Sequence, residues 1–557
     1  MNNIIELKIK GMTCDSCASH ISKALASVSG VDTVKINGWK SGHATVNIND
    51  KIDSSVLIDA VKKAGYSALI DNSLLTEENM ISFSGKIDYD LIIIGGGSAA
   101  FGAAIKTSEL GKKTLMINEG LPIGGTCVNV GCVPSKTLIR TAEQFHAANH
   151  PNFSSIKPGE NIIDFREAIR QKTELVERLR QHKYIDVLKD DPNVTIIKSY
   201  GKLINKNTVE ADGKKYSAKN ILIATGSTTF VLDIPGLKES GYLTNETLYE
   251  LDELPEQLIV IGGRYIALEN AQMFARLGSK VTILQRSLRI LPDEMPDLTE
   301  NLKDYLEEPV PSGGGIEIKT GVIINSIKKE GSKFIVKASI KDALEVIEGT
   351  HLFVATGRKG NTVGIGLQKI GVELHKQNFI KTNKFMQTSI PNIYAAGDVT
   401  GEYLFVYSAA YEGSLAVNNM FNENKTGKDY SVFPWVIFTD PQVSGVGMDE
   451  NQAYENKIDY EVSKIQLKDI PRSIAARNTK GFIKLIRNKE NDQLIGARIL
   501  ASEGSELLME ISLAIKYGIT VKELKYMFHP YLTLSEGVKL AAISFEKDVN
   551  KLSCCAV

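Results

Sequence analysis

The chain has 557 residues and lacks long apolar runs, isolated cysteines and an excess of charge of either sign. Its formal net charge is −1, so nothing in the charge balance favours nucleic acid or an anionic membrane as a partner. The most apolar run, residues 91–105, is rich in glycine and too short to span a bilayer. The N-terminus has no basic region followed by a long apolar stretch, so it does not have the pattern of a signal peptide. We therefore expect a cytoplasmic protein that is not embedded in a membrane.

The few cysteines that the chain does contain form three close pairs. They are Cys14/Cys17, Cys127/Cys132 and Cys554/Cys555. In the cytoplasm, closely spaced cysteines are more often catalytic or metal-binding than structural disulfides. A thiolate is both a nucleophile and a soft ligand, so such pairs favour redox exchange or capture of a soft metal. Three pairs together indicate a relay that passes a thiophilic species inward.

The first 70 residues alternate between strand and helix patterns. Apolar residues alternate from Ile5 to Ile9 and have helical spacing from Ala18 to Val28; two further strand-like segments surround a second helix near 54–64. The predicted order, βαββαβ, is the ferredoxin-like arrangement. Cys14 and Cys17 lie where a loop enters the first helix, whose N-terminal field favours a thiolate.

The sequence GMTCDSC in this context resembles the heavy-metal-associated domain of metal chaperones and metal-transporting ATPases. Two thiolates without a nearby histidine suit Cu(I) or Hg(II) better than tetrahedral Zn(II). The resemblance implies that Cys14 and Cys17 bind metal, and the choice between these two ions stays open. A thioredoxin-type CxxC is the alternative that the Gly-Met-Thr prefix disfavours. Residues 71–86 are polar with little periodicity and are predicted to be a linker.

A dinucleotide-binding fingerprint follows this linker. An apolar strand at 91–94 runs into Gly95-x-Gly97-x-x-Ala100, a helix, and a second strand that ends at Glu119. The glycines permit a tight turn and close approach of a pyrophosphate to the helix N-terminus, and the acid bonds a ribose. The strand, the helix and the correctly spaced acid make this a specific signal.

A second unit of the same kind begins near residue 257. Gly262 and Gly263 open its turn, but Arg264 occupies the third fingerprint position, where a glycine is expected. This departure leaves open the path of a cofactor over the turn.

The strand after the second turn ends in Gln285 rather than in an acid. Arg286 and Arg289 follow it, and two cations there suit the 2′-phosphate of NADPH better than the free ribose of NADH. Ordinary surface charges are the alternative interpretation of these arginines.

The two units flank the segment GGTCVNVGCVPSK, which carries the second cysteine pair. From about residue 88 onward the chain resembles the flavin disulfide-oxidoreductase family. Matching segments are Ala-Thr-Gly at 224–226, Ala-Thr-Gly-Arg at 355–358 and Ile-Tyr-Ala-Ala-Gly-Asp at 393–398. The resemblance implies FAD, NADPH and a homodimer formed through the region from about residue 430. The implied FAD contacts are Gly95, Gly97, Ala100, Glu119, Gly125, Thr126, Lys136, Ala224, Thr225, Gly226 and Asp398. The implied NADPH contacts are Gly262, Gly263, Arg286, Arg289 and Gly357.

The same resemblance assigns roles around the cysteines. Cys132 opens a helix with Pro134 in its first turn, which favours both the proline and a thiolate, and it is implied to lie against the flavin. Cys127 is implied to be the outer, exchanging thiol. Lys136 lies one turn later and is implied to face the flavin and to pair with Glu269.

The C-terminal region separates branches of this family. Disulfide reductases carry a histidine five residues before a glutamate; counting back from Glu536 gives Tyr531, and His529 lies two positions too early. A tyrosine, with a pKa of about 10, is a poor substitute for a base that works near neutral pH. A metal ion held by thiolates needs no such proton shuttle. Tyr531 at this position, the terminal pair Cys554/Cys555 and the N-terminal metal-binding domain together resemble the branch that reduces mercuric ion. In that branch Tyr184 matches a second active-site tyrosine.

The resemblance to that branch implies NADPH- and FAD-dependent two-electron reduction of thiol-bound Hg(II) to elemental mercury, a detoxification. Hg(II) is expected to come from a membrane mercury transporter or cellular thiols, and to pass from Cys14/Cys17 to the tail of the partner subunit and then inward. The implied stations are the tail pair Cys554/Cys555 and the inner pair Cys127/Cys132. Idle tail thiols, an NAD(P)H-dependent disulfide reductase of the dihydrolipoamide dehydrogenase or glutathione reductase type, and a non-catalytic metal chaperone or sink are the alternatives.

We thus predict an α/β fold with two Rossmann-like dinucleotide-binding domains and an α+β dimerisation domain, preceded by a ferredoxin-like βαββαβ metal-binding domain. The expected segments are 1–70 (metal-binding domain), 71–86 (linker), 87–235 (first part of the FAD domain), 236–358 (NADPH domain), 359–429 (second part of the FAD domain), 430–550 (dimerisation domain) and 551–557 (metal-transfer tail).

Overall fold

The computed structural model describes residues 3–36, 38–48, 54–70, 87–310, 313–548 and 551. The predicted linker at 71–86 lies outside this set, and so do Cys554 and Cys555. The chain divides into two compact units, one made mainly by Met1–Ile87 and the other by nearly all that follows. Within the described residues, no helix is long and apolar enough to cross a membrane.

The N-terminal unit is an antiparallel sheet covered by two helices. Its elements are β1 (Asn3–Lys10), α1 (Asp15–Ala26), β2 (Val31–Lys35), β3 (His43–Ile48), α2 (Ser54–Lys63) and β4 (Ser67–Ile70). The strand order is β2-β3-β1-β4, and Leu7, Ile21 and Leu57 are fully buried in the core. This is the predicted βαββαβ arrangement. Helix α1 begins three residues earlier than the apolar spacing predicts, so Cys17 lies inside its first turn.

The second unit begins with a parallel sheet. Its first elements are β5 (Tyr89–Ile94), α3 (Ser98–Glu109), β6 (Thr114–Asn118), α4 (Gly125–Val130), α5 (Cys132–Asn149), α6 (Phe165–Arg180), α7 (Asp186–Leu188), β7 (Val194–Lys198), β8 (Lys202–Asn205), β9 (Thr208–Ala211), β10 (Lys214–Ile223) and β11 (Ser227–Thr229). The strands β7, β6, β5 and β10 run parallel in that order, and β8 and β9 extend β10 as an antiparallel meander. Strand β5 is buried on both faces, as central parallel strands are.

A second parallel sheet repeats this plan. The next elements are α8 (Leu237–Ser240), β12 (Gln257–Ile261), α9 (Tyr265–Leu277), β13 (Lys280–Gln285), α10 (Pro296–Leu306), β14 (Gly315–Thr320), β15 (Val322–Glu330), β16 (Lys333–Ile340), β17 (Ala343–Gly349) and β18 (His351–Val354). The strand order is β14-β13-β12-β18, and β15 to β17 form a separate antiparallel sheet. Both sheets therefore place a strand, a turn and a helix in the same sequence.

The chain then returns to the first sheet through β19 (Arg358–Gly360), β20 (Ile393–Ala395) and α11 (Val406–Phe421). Strand β20 pairs with β10 in parallel. Helices α3 and α11 pack at backbone distance, because a Cβ on Gly413 would lie 2.1 Å from the carbonyl oxygen of Ala99. Because β20, β10 and β5 are parallel neighbours, the first glycine turn and the segment after β20 lie at the same end of the sheet.

The C-terminal region is a five-stranded antiparallel sheet with helices. Its elements are β21 (Trp435–Ile437), β22 (Gln442–Gly447), α12 (Glu450–Glu455), β23 (Tyr460–Gln466), α13 (Pro471–Ala475), β24 (Phe482–Asn488), β25 (Leu494–Ala501), α14 (Leu508–Lys516), α15 (Val521–Tyr526) and α16 (Leu534–Ile543). The strand order is β21-β22-β25-β24-β23. The α/β fold class predicted from the sequence is confirmed.

Candidate active site

The first glycine turn is closed by contacts that only glycine permits. Gly95 has φ +128°, and a Cβ there would lie 2.1 Å from the carbonyl oxygen of Ala224. A Cβ on Gly125, at φ +63°, would lie 2.7 Å from the Cα of Gly97. These close approaches explain why the Gly-x-Gly turn and the Ala-Thr-Gly turn occur together in one sequence.

A cavity of about 700 Å³ opens beside this turn. Its size is in the range of cofactor sites. The predicted FAD residues that line it are Gly95, Gly97, Glu119, Gly125, Thr126, Ala224, Thr225, Gly226 and Asp398. Of the others, Ala100 is buried inside α3 and Lys136 is half-buried on α5. The glycine cradle, the acid after β6 and the carboxylate of Asp398 fit the pyrophosphate, ribose and ribityl groups of FAD.

Asp398 is held by two residues that the sequence analysis did not assign. The Ser227 hydroxyl donates a 2.8 Å hydrogen bond to it, and the guanidinium of Arg358 lies 3.8 Å from the same oxygen. Burial raises the pKa of Asp398, while Arg358 and Ser227 oppose this shift. The signal for Arg358 was available, because it ends the matching Ala-Thr-Gly-Arg segment.

The inner cysteine pair lines the same cavity. Cys127 lies on α4 and Cys132 begins α5; both are free thiols. A hydrogen bond from Cys127 lowers the pKa of Cys132 to about 7 against the effect of burial, and Lys136 contributes in the same direction. The same hydrogen bond, with burial, raises the pKa of Cys127. Cys132 is therefore the thiolate of the pair near neutral pH.

Lys136 and Glu269 form the ion pair that the sequence resemblance implies. The ammonium of Lys136 lies 2.6 Å from Oε2 of Glu269, which is buried on α9. The other carboxylate oxygen, Oε1, accepts a 2.8 Å hydrogen bond from the Phe438 backbone N–H. The ammonium also lies 4.7 Å from the centre of the Phe438 ring. These contacts fix the lysine one turn after Cys132.

Tyr184 lies in a π-helical turn, Gln181–Ile185, that joins α6 to α7. Its ring meets Phe101 edge-on at 5.0 Å between centroids. Burial raises its pKa, a hydrogen bond with Ser98 opposes this shift, and the charges of Cys127 and Cys132 add to it. The structure thus brings Tyr184 close to the inner pair, and single π-helical turns are frequent at functional sites.

The C-terminal segment places Tyr531 and His529 differently. The His529 side chain is 5% exposed, and its Nε2 lies 2.6 Å from Oε1 of Glu510. Tyr531 is half-exposed in the turn before α16. The histidine is thus engaged within the chain, and the tyrosine is the residue presented outward.

The N-terminal cysteine pair is preorganised at the start of α1. Cys14 is its extended N-cap residue, and the two sulfur atoms of Cys14 and Cys17 lie 3.2 Å apart. A hydrogen bond with Tyr66 and others with Thr13 and Cys14 lower the pKa of Cys17 to about 6. Tyr66 is not among the residues that the sequence predicts for this site, although its place directly after Gly65, at the end of the second helix, was a signal.

The ligand chemistry of this pair is that of two thiolates. Throughout the described part of the chain, no cluster of three or more His, Cys, Asp or Glu residues is arranged to hold a metal ion. Two closely spaced sulfurs alone suit a soft ion of low coordination number.

The second glycine turn repeats the first. Gly262 has φ +123°, and a Cβ there would lie 2.4 Å from the carbonyl oxygen of Ala355. Gly263 packs against Gln285, and Gly357 has φ +114°. These contacts fit a second dinucleotide, whose pyrophosphate would lie at the N-terminus of α9.

The two predicted phosphate-binding arginines follow this turn. Arg286 is exposed. The Nη1 atom of Arg289 is buried and has no hydrogen-bond partner among the described residues. A buried guanidinium nitrogen without a partner fits an anionic ligand such as a 2′-phosphate.

The structure combines a flavin-sized cavity, a thiol pair on its wall and a second dinucleotide turn. This combination defines a flavoprotein that uses a pyridine nucleotide. Residues 89–413 match the family described as pyridine nucleotide-disulphide oxidoreductase, 433–542 its dimerisation domain, and 6–67 the heavy-metal-associated domain. The chain belongs to the pyridine nucleotide-disulphide oxidoreductase family. The predicted use of FAD and NADPH is confirmed by this membership.

Curated relatives that match this chain over its full length are mercuric reductases. The protein from Lysinibacillus sphaericus is 40% identical over 100% of both chains, and that from Staphylococcus aureus is 38% identical over 100% of this chain and 99% of its own. Among solved structures, the HOCl-induced flavoprotein disulfide reductase RclA from Escherichia coli is 29% identical with a TM-score of 0.73, over 82% of this chain and 99% of its own.

Proposed function

We propose that this protein is a mercury(II) reductase: Hg²⁺ + NADPH → Hg⁰ + NADP⁺ + H⁺. Two electrons leave NADPH and two reach the metal, so the equation balances in atoms and charge. The observation that carries the proposal is the pair Cys127/Cys132 on the cavity wall of a chain similar over its full length to mercuric reductases. Tyr531 in place of a family histidine, with His529 engaged by Glu510, supports a substrate that needs no thiol proton shuttle.

The chain's own residues would supply ligands and position. FAD, when bound, would supply the two-electron chemistry between NADPH and the Hg(II) that the inner pair holds. The Cys132 thiolate and the Cys127 thiol take Hg(II) by exchange, so that each new Hg–S bond forms as an old one breaks. Elemental mercury has little affinity for thiolate and leaves. Lys136, fixed by Glu269, keeps a positive charge beside the Cys132 sulfur.

The other two cysteine pairs would deliver the metal. Cys14/Cys17 holds the ion on two preorganised sulfurs, and the tail pair Cys554/Cys555, acting on the partner subunit, passes it to the inner pair. A membrane mercury transporter or cellular thiols supply it in the cytoplasm. The proposed working segments are those stated from the sequence: metal-binding domain, linker, two-part FAD domain, NADPH domain, dimerisation domain and tail. The match to a dimerisation domain supports a homodimer.

A substrate panel tests the reductase against its rivals. NADPH oxidation by the purified, FAD-loaded protein is followed with Hg(II) in excess thiol, with glutathione disulfide and with lipoamide. We expect oxidation with Hg(II) alone, lost in Cys127→Ser and Cys132→Ser. Oxidation driven by either disulfide but not by Hg(II) would identify a disulfide reductase, and stoichiometric Hg(II) binding without NADPH oxidation would identify a metal sink.

The delivery role has its own test. The double substitution Cys554→Ala with Cys555→Ala is expected to impair turnover of thiol-bound Hg(II) while leaving reduction of the flavin by NADPH unchanged. Cys14→Ala with Cys17→Ala removes an equal number of thiols from the other delivery pair. It is expected to spare this turnover, because Hg(II) supplied by excess thiol can reach the tail directly. Equal turnover in the tail variant and the parent protein would contradict transfer through the tail.

A further inference from the structure

Arg264 stands in the second glycine turn at a position where the first turn has Gly97. The two residues have nearly the same extended backbone, φ −113° and ψ −171° for Arg264 against φ −90° and ψ −168° for Gly97. The preceding glycines also agree, with φ +123° at Gly262 and +128° at Gly95. The second turn therefore keeps the dinucleotide-binding shape, and the arginine is accommodated without backbone strain.

The surroundings of the two positions differ in how much room they leave for a side chain. At the first turn, a Cβ on Gly97 would lie 3.6 Å from the Cα of Gly125, so helix α4 is in van der Waals contact with this position. At the second turn the Arg264 side chain is 54% exposed. The guanidinium thus extends from the N-cap of α9, the helix end whose N–H groups favour an anion.

The partner of Arg264 in the structure is a carboxylate that it can readily exchange. Arg264 is paired with Asp293, whose side chain is 72% exposed. An ion pair exposed on both sides is weak. The segment that carries Asp293 is held against the turn, because the Leu291 N–H donates a 3.0 Å hydrogen bond to the Gly263 carbonyl oxygen. The same segment carries Arg289, with its unpartnered buried nitrogen.

We propose that Arg264 is a pyrophosphate-binding residue of the second dinucleotide site, and that its guanidinium exchanges Asp293 for the pyrophosphate of the pyridine nucleotide. The planar guanidinium suits two oxygens of a phosphate as well as two of a carboxylate. The proposal rests on the use of a pyridine nucleotide in the proposed function.

This assignment divides the work between the arginines. The pyrophosphate is common to NADP⁺ and NAD⁺, so Arg264 raises affinity for both. The 2′-phosphate belongs to NADP⁺ alone, so Arg286 and Arg289 set the preference between them.

Equilibrium binding to the oxidised, FAD-loaded protein tests the assignment without turnover. By calorimetry, Arg264→Gln is expected to raise the Kd of NADP⁺ and of NAD⁺ alike, by roughly ten-fold for loss of one charged phosphate contact. The Kd of 2′-AMP, which has no pyrophosphate, is expected to stay unchanged. Arg166→Gln, which removes another exposed cation that is paired with a carboxylate, Glu253, is the matched control and should alter none of the three.

Three results would overturn the assignment. Unchanged Kd values for both dinucleotides would mean that Arg264 does not contact them. An equal loss for 2′-AMP would indicate a general disturbance of the site. Tighter dinucleotide binding in Arg264→Gly would mean that the arginine obstructs the turn. A parent protein that binds neither NADP⁺ nor NAD⁺ would contradict both the assignment and the proposed reductase function. The three results above would contradict the assignment of Arg264 alone.

The exchange of partners is tested by a double-mutant cycle. Asp293→Asn is expected to tighten NADP⁺ binding by about two- to three-fold, because it releases a weakly held arginine. In the Arg264→Gln background the same change is expected to have no effect. Equal tightening in both backgrounds would show that Asp293 acts on the nucleotide directly, and would contradict the exchange.

Discussion

The ammonium of Lys136 lies 2.6 Å from the carboxylate of Glu269, and this contact joins the helix that begins at Cys132 to the helix of the second dinucleotide turn. One ion pair therefore couples the position of Cys132 to the helix that follows the second glycine turn. Glu269 is buried, so the lysine also neutralises a carboxylate that has little access to water.

Replacing Lys136 by Met is expected to leave Glu269 buried without a cation. Breaking a buried ion pair in this way destabilises a protein strongly, and we expect about 2 kcal/mol here because Lys136 is itself partly exposed. Urea denaturation followed by flavin fluorescence measures the loss. Lys106→Met is the matched control, since its pair with Glu109 is a surface i,i+3 contact and should contribute less than about 1 kcal/mol. Similar losses in the two variants would contradict the structural role of the Lys136 pair.

Because the pKa of Cys132 is about 7, its alkylation depends on pH near neutrality. Only the thiolate reacts, so the rate should rise with pH and reach half its maximum near pH 7 in the reduced protein. Cys127→Ala removes the hydrogen bond that is the main cause of the low pKa, and the midpoint should move upward. Iodoacetamide labelling with peptide mapping measures it. A midpoint that does not move in Cys127→Ala would show that another group stabilises the thiolate.

Tyr66 is expected to control the reactivity of the N-terminal pair in the same way. Its hydrogen bond is the largest cause of the lowered pKa of Cys17, about 6, so this residue should be mostly thiolate at pH 7. Tyr66→Phe should shift the midpoint of Cys17 alkylation upward and slow labelling below pH 7. Tyr454→Phe, at an exposed tyrosine in the other unit, is the control. An unshifted midpoint in Tyr66→Phe would assign the low pKa to Thr13 and the helix end.

Gly95→Ala is expected to abolish FAD binding. The new Cβ would lie 2.1 Å from the Ala224 carbonyl oxygen at φ +128°, so the turn must deform. The ratio of flavin to protein absorbance in the purified variant measures the loss. Gly213→Ala also has a positive φ but meets nothing within 4 Å, so it should retain the flavin at a cost of about 1 kcal/mol of stability. Full flavin content in Gly95→Ala would exclude this turn from the cofactor site.

Local patterns in the sequence were sufficient for the two dinucleotide units, because a strand, a glycine turn and a helix are consecutive in the chain. The turn at Gly95 is an example. The βαββαβ order of the N-terminal module was likewise predicted from consecutive segments. The start of α1 was misplaced by three residues, because apolar spacing does not register an N-cap such as Cys14. Helix ends depend on capping backbone geometry that the apolar pattern does not contain.

Contacts between residues that are distant in the sequence could be predicted only from the resemblance to the family, and some could not be predicted at all. The local sequence around Tyr184 predicts a half-buried aromatic residue on an amphipathic helix, and only the fold brings it near Cys127. Asp398 meets Ser227 across 171 positions of sequence. Tyr66 forms a hydrogen bond with Cys17, which is far from it in the sequence, and no periodicity in the sequence encodes such a pairing.

The most direct test of the central claim is the stoichiometry of mercury reduction by the FAD-loaded homodimer. NADPH oxidation is followed at limiting NADPH with Hg(II) in excess thiol, while a gas stream carries mercury vapour to a trap. The proposed reaction predicts one elemental mercury atom for each NADPH oxidised, and none in Cys132→Ser. NADPH oxidation without mercury vapour would show that the electrons go elsewhere and would contradict the assignment.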